Sequence, residues 1–435
     1  MAEWTPIAPQ GSSSPIFPNE LVDMFIDHLD DTDTLLTCML VHRCWAIRAR
    51  YHLFQDLTIR PLLVDGVKSF YHLPIKAREL SPVTRGHVTT LSLIDQGQSS
   101  EVHIDVILMQ ELLLLFPNVE NIKLEVTIIG TPDAPHLNFT PDLGQIRQLR
   151  YLKLSTIVEI LHDSDLLDFF SLFSRIDRLY IEDCSADVIT AVDVEHFPEI
   201  HALEILDLVT DDFINGLFKG PHQSRFGSVQ ELAFSIFDHN NDARWETVLG
   251  EVGPKLPQLK VLIYDPVSAY LHDVFRVLDP PTLRASFWEM LVDWDCCLAL
   301  QNLTIHSYVC SSSVGHMIGQ AVFAAVIQIL CDLRNSRHAC TSSETGIEHL
   351  TIEFEVDHEF EHFRDLFRGA PWKDLEKVLL DLRQHPRIRL REVTLLLSGI
   401  KPWSEYDERL IDQVALRMEK GVEGMGPEGF VEFER

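Results

Sequence analysis

Cationic residues are scarce in this sequence: 36 Lys and Arg stand against 66 Asp and Glu, a formal net charge of −30. A field of that sign repels phosphate backbones and anionic lipid, which argues against nucleic acid and membrane surfaces as principal partners. No long hydrophobic run is unbroken either. The longest, residues 314–333, is interrupted by His316, Gln320 and Gln328, so it reads as a buried helix and not as a membrane span. None of the eight cysteines falls in a C-x-x-C pair. The opening Met-Ala-Glu-Trp-Thr-Pro lacks the basic start and apolar core of a secretory signal, so reduced thiols and a cytoplasmic or nuclear location are expected. Also missing are G-x-S-x-G, a glycine-rich phosphate loop and clustered Cys and His at metal spacing, so no catalysis, cofactor or metal is expected.

Apolar residues are plentiful, at 46%, enough for a sizeable core. They recur in one phrase: apolar, two residues, apolar, one residue, apolar. Examples are Phe54–Leu57–Ile59, Val88–Leu91–Leu93, Val119–Ile122–Leu124, Leu149–Leu152–Leu154 and Ile176–Leu179–Ile181. Others are Leu203–Leu206–Leu208, Val229–Leu232–Phe234, Leu259–Leu262–Tyr264, Leu300–Leu303–Ile305, Ile347–Leu350–Ile352 and Leu390–Val393–Leu395. Their starts lie 26 to 47 residues apart, which indicates a repeat architecture. The last two apolar positions are two apart and share one face of a short strand. Between phrases, Asp163-Ser164 precedes a helical pattern from Leu166 to Phe173, and Asp211-Asp212 opens another that Gly220-Pro221 stops. Strand then helix, repeated, predicts parallel strands side by side: Leu152 and Leu154, Leu179 and Ile181, and Leu206 and Leu208 on consecutive neighbours.

The phrase resembles the strand half of leucine-rich repeats. That family's Asn or Cys three residues after the last Leu appears here only as Cys184, and the late units are longer than usual, so an irregular arc is expected. An ordinary α/β domain with leucine-rich strands is the alternative.

The first 14 residues, with three consecutive Ser, read as a flexible lead. Pro18-Asn19-Glu20 then starts a helix carrying Leu21, Val22, Met24, Phe25, Ile26 and Leu29, which ends at an acidic turn, Asp30-Asp31-Thr32-Asp33. Asp33 is placed to cap a second helix, Thr34 to Leu40, and a third segment runs from Val41 to Phe54. About forty residues cannot hide this much apolar surface among themselves, so repeats or another protein must cover it.

Residues 15–57 resemble an F-box, on Phe17-Pro18-Asn19-Glu20-Leu21, Leu29-Asp30, Leu35-Leu36 and Val41-His42-Arg43-Cys44-Trp45. The ending Arg50-Tyr51-His52-Leu53-Phe54 is like F-box proteins abundant in mushroom-forming fungi, and Phe17 replaces the usual Leu. The resemblance implies an α/β chain: a three-helix F-box, then an irregular leucine-rich-repeat-like solenoid with a parallel sheet over residues 58–412, then an acidic tail over 413–435. It implies docking to a Skp-type adaptor, and through it a cullin, by Pro18, Leu21, Phe25, Leu29, Leu36, Val41 and Trp45. The repeats are expected to hold a protein substrate, which makes the chain a non-enzymatic specificity subunit of an SCF-type ubiquitin ligase. The alternative is a repeat scaffold without ligase recruitment, in which the same residues form the core of a helical cap.

One motif points elsewhere. His358-Glu359-Phe360-Glu361-His362 satisfies the H-E-x-x-H pattern of zinc peptidases. Helical phase sets Phe360, Phe363 and Phe367 on one face and both His on the other, toward solvent. Positions 365 and 368 of the extended pattern are Asp365 and Arg368, so no third ligand is marked and a zinc peptidase stays a remote alternative.

Overall fold

The computed structural model describes residues 19–29, 31–64, 67–95, 102–130, 147–161, 165–185, 197–206, 209–218, 223–236, 242–263, 294–309, 315–336, 346–356, 371–385, 388, 390–398 and 431–434. It is an α/β chain with a large parallel sheet, and it divides into two compact units. The first comprises residues 1–100 and 107–123; the second comprises 101–106 and 124–435.

The first unit begins with three short helices, α1 (Asn19–Asp27), α2 (Thr32–Val41) and α3 (Arg43–Gln55). Helices of 9, 10 and 13 residues are marginal alone and hold together by packing. Their shared core is Ile26, Leu35, Cys38 and Ala49, with Val22, Leu29, Met39, Trp45 and Leu53 against it. The cap of α2 is Asp31, two residues before the position expected from sequence. Its Oδ2 accepts the Thr34 amide at 2.7 Å and the Thr34 hydroxyl at 2.5 Å, so one carboxylate oxygen takes two donors. Asp33 instead lies in the first turn, where its charge complements the helix dipole. Helix α3 runs directly into β1 (Asp56–Ile59).

A hairpin of β2 (Leu62–Val64) and β3 (Val67–Ser69) and two helices, α4 (Leu73–Glu79) and α5 (Pro82–Arg85), lead to β4 (Thr90–Ile94). Strands β1 and β4 pair in parallel, with Leu57 opposite Leu91 and Ile59 opposite Leu93. Those pairs are the phrase positions.

The second unit holds β5 (His103–Ile104), β7 (Ile128–Ile129), β8 (Arg147–Ser155), β9 (Glu159–Ile160), α7 (Asp165–Ser171) and β10 (Phe173–Glu182). Between β5 and β7 the chain passes through α6 (Val106–Leu115) and β6 (Asn121–Glu125). After β10 come β11 (Glu199–Ile205), α8 (Asp211–Phe218), β12 (Glu231–Ile236), α9 (Asp242–Val252) and β13 (Gln258–Ile263). The remaining elements are β14 (Asn302–Val309), α10 (Gly315–Asn335), β15 (His349–Val356), α11 (Trp372–Arg383), β16 (Glu392–Ser398) and β17 (Val431–Glu434).

From β8 and β10 through β11 to β17, every strand pairs in parallel with the next. Parallel neighbours need crossovers, and α7, α8, α9, α10 and α11 lie in those connections. Strands β5, β7 and β9 form a smaller parallel sheet. Strand β17 falls in the stretch read from sequence as an acidic tail, and it extends the sheet by pairing with β16.

The expected pairing holds between the first two strands, where Leu152 faces Leu179 and Leu154 faces Ile181. It fails on the third. The residues opposite Leu179 and Ile181 are Leu203 and Ile205, three positions ahead of Leu206 and Leu208; Leu206 follows the strand and Leu208 lies outside the described residues. The same slip occurs at β13, where Leu259 and Val261, not Leu262 and Tyr264, continue the row from Leu232 and Phe234. Both stretches carry apolar residues dense enough to fit two frames. Strand pairing sets the frame used, and Ile200 and Leu256, three residues before Leu203 and Leu259, are fully buried in keeping with it.

The core of the second unit is aromatic as well as aliphatic. Phe169, Phe170, Phe197, Phe226 and Phe218 form a chain of ring contacts with centroids 4.4–6.2 Å apart. Further along, Phe323 of α10 stacks on Phe354 of β15 at 4.8 Å and meets Trp372 of α11 edge-on at 4.8 Å. Residues 314–333, read as a buried helix, fall almost wholly within α10, whose Phe323, Ala325, Val326 and Leu330 are fully buried. No described helix is long and apolar enough to cross a membrane.

Candidate functional site

Exposed apolar side chains concentrate on the first three helices. Of sixteen large hydrophobic residues that the described chain leaves exposed, seven lie between Leu21 and Ile47. On α1, Leu21, Met24 and Phe25 are 54%, 58% and 63% exposed, and their i, i+3, i+4 spacing puts them on one face. On α2, Leu36, Leu40 and Val41 are 48%, 88% and 58% exposed, and Ile47 of α3 is 64% exposed. Scattered exposed apolar residues are ordinary, whereas a concentration on one small helical unit marks a surface built to be covered.

The seven residues singled out from sequence therefore divide. Leu21, Phe25, Leu36 and Val41 face solvent. Leu29 and Trp45 are half-buried against the shared core, where they seat the helices on one another. Pro18 lies outside the described residues. Three exposed residues were not singled out: Met24, Leu40 and Ile47. Met24 was legible from its spacing to Leu21 and Phe25, and Leu40 from its i+4 relation to Leu36. Ile47 carried no signal distinguishing it from a core position.

An ion pair also joins α1 to α3. Both Asp27 carboxylate oxygens accept from Arg48, Nε at 2.5 Å and Nη2 at 2.7 Å, and His52 Nε2 stands 2.7 Å from Oδ1. Hydrogen bonds from Arg48 and then His52 hold the Asp27 carboxyl well below the usual carboxylate range. The Arg48 guanidinium also lies over the Tyr51 ring, 5.1 Å from its centroid.

The open face of the second unit's sheet has a different character. Lys153 pairs with Glu182 at 2.8 Å and lies over Tyr180, and Arg178 pairs with Glu204. His306 Nε2 stands 2.8 Å from Glu355, while Glu353 takes Lys260 at 3.7 Å and the Ser398 hydroxyl at 2.7 Å. Burial, with Lys260 adding to it, lowers the His306 pKa against the pull of Glu353 and Glu355. Ser398 donates its hydroxyl to Glu353 and not to the imidazole.

Cys184, three residues after Ile181, is fully buried. Its Sγ lies 3.3 Å from the Glu182 carbonyl and 3.8 Å from the Leu154 carbonyl of the neighbouring strand. Burial pushes its thiol up to about 12. The segment His358 to His362 lies outside the described residues. Among the described residues, no group of three or more His, Cys, Asp or Glu is placed to hold a metal ion.

No family model matches the chain, and no curated protein matches it.

Proposed function

We propose that this chain is the substrate-recognition subunit of an SCF-type cullin–RING ubiquitin ligase, acting in the cytoplasm or nucleus. Its F-box, α1 to α3, docks a Skp-type adaptor and through it the cullin. Its leucine-rich-type repeats hold a protein substrate near the ubiquitin-loaded enzyme. The chain contributes position, and the other subunits perform the chemistry.

The observation that carries this reading is the exposure of Leu21, Phe25, Leu36 and Val41 on helices whose sequence follows the F-box pattern. A helical cap serving only its own chain has no use for four large apolar side chains in water. Covering them with an apolar groove removes that surface from solvent, at roughly 25 cal/mol per Å² of apolar area. The recurrence of one apolar phrase on paired strands at β1 and β4, β8 and β10, and β14 to β16 supports the repeat half of the reading.

Co-purification tests it. The full chain, produced with a Skp-type adaptor, is expected to carry the adaptor through size exclusion. Leu21→Asp with Leu36→Asp is expected to abolish this, because each places an unpaired charge in a desolvated contact. A folded chain that leaves the adaptor behind instead supports a scaffold without ligase recruitment.

A further inference from the structure

Helix α1 carries three exposed apolar residues and yet is held to its neighbours by little. It has 9 residues, and Ile26 is the one fully buried side chain described in it. Val22 and, just beyond the helix end, Leu29 complete a single apolar line against the core of α2 and α3. A helix resting on one such line is constrained in distance but weakly constrained in roll. At about 100° per residue, Leu21 and Phe25 flank that line, so any roll of α1 turns them directly.

Asp27 is placed to stop that roll. It follows the Ile26 anchor by one residue and is the last residue of the helix, where a carboxylate opposes the macrodipole and gives no capping benefit. Its value there lies in its partners. Arg48 grips both oxygens, at 2.5 and 2.7 Å, and a planar guanidinium fork satisfies two oxygens at once in only one orientation. His52, one turn further along α3, takes Oδ1 at 2.7 Å. The cation is steadied by the Tyr51 ring beneath it, and Tyr51 packs edge-on against His52 at 5.3 Å and His87 at 5.8 Å. An isolated surface ion pair contributes little, but a bidentate pair backed by a second donor and a ring is the geometry in which it counts.

We infer that Asp27, Arg48 and His52 form a positioning clamp that sets the rotation of α1 on α3, so that Leu21, Met24 and Phe25 are presented to the docking partner in one fixed arrangement. These are positioning residues, and the partner touches the apolar side chains they orient. This inference rests on the adaptor-docking reading proposed above.

The test titrates the full chain with a purified Skp-type adaptor and follows amide exchange of α1 in the free protein. Asp27→Asn and Arg48→Gln are each expected to weaken binding about tenfold, the scale of one charge-assisted contact, with faster exchange in α1. The double variant is expected to be no weaker than the worse single one, because both break one unit. Arg48→Lys, which keeps the charge and loses the fork, should fall between wild type and Arg48→Gln. Cys38→Ala loosens the same small core without touching the clamp. If it weakens binding as much as Arg48→Gln at an equal loss of Tm, the clamp acts through stability alone and the inference falls. Wild-type binding that ignores all three clamp substitutions overturns the inference but leaves docking standing. A wild-type chain that does not bind the adaptor overturns both.

Discussion

Removing the Phe323 ring from the junction of α10, β15 and α11 is expected to loosen the sheet around β14 to β16 more than any conservative change nearby. Phe323 and Phe354 are both fully buried, and Phe323 meets two rings at once: stacked on Phe354 at an interplanar angle of 22° and edge-on to Trp372 at 75°. Truncating a buried Phe to Ala costs about 3–5 kcal/mol, from lost transfer energy and the cavity left behind. Two aromatic contacts place this site toward the upper end, since each adds roughly 0.5–1.5 kcal/mol beyond area. Phe323→Leu keeps most of the volume and loses mainly those two ring contacts, so about 1–3 kcal/mol is expected. Urea midpoints give the total, and amide exchange of peptides from β14, β15 and β16 locates it. Because the chain has two units, exchange is expected to accelerate in those strands and stay unchanged in α1 to α3. A cost below about 1 kcal/mol for Phe323→Ala, or equal costs for Ala and Leu, would refute the idea that this junction holds β14 to β16 and their helices together.

Three further outcomes follow from particular contacts. Thiol labelling of the native protein near pH 8 is expected to reach Cys44, which is exposed, and to spare Cys184, whose thiol burial pushes up to about 12; Cys184 should label only on unfolding. Burial, with Glu204 and Glu182 nearby, raises Tyr151 to about 12. Its phenol is therefore favoured neutral in the folded chain, that stabilisation is complete below about pH 10 and is withdrawn as pH rises toward 12, and an ultraviolet titration should show one tyrosine ionising late. Gly130→Ala is expected to destabilise by more than about 1 kcal/mol in thermal unfolding, because φ is +112° there and a Cβ would lie 2.0 Å from Asp165 Oδ2.

Sequence made the repetition legible because a phrase with fixed offsets survives wherever its apolar positions stand out from their neighbours. It did so at Leu149–Leu152–Leu154, where Arg150, Tyr151 and Lys153 separate them. It misled at Ile200–Leu208 and at Leu256–Tyr264, where apolar residues at nearly every second position allow two frames three residues apart. Only pairing with a neighbouring strand selects between them, and that is information no single stretch contains. The N-terminal helices show the complementary limit. Helical spacing identifies which residues are apolar together, but in a unit too small to bury them all it does not say which are left out. The division of Leu29 and Trp45 from Leu21 and Phe25 is set by how three helices pack. The cap at Asp31 is a finer case: an acidic turn offers several carboxylates, and geometry at Thr34 chooses one.

The most direct test of the central claim is a calorimetric titration of the full chain into a purified Skp-type adaptor. Saturable one-to-one binding is expected, weakened at least about a hundredfold by Leu21→Asp with Leu36→Asp, as for hot-spot residues at the centre of an interface. Absence of heat and of complex with a wild-type chain whose three N-terminal helices are shown folded by amide exchange would contradict it.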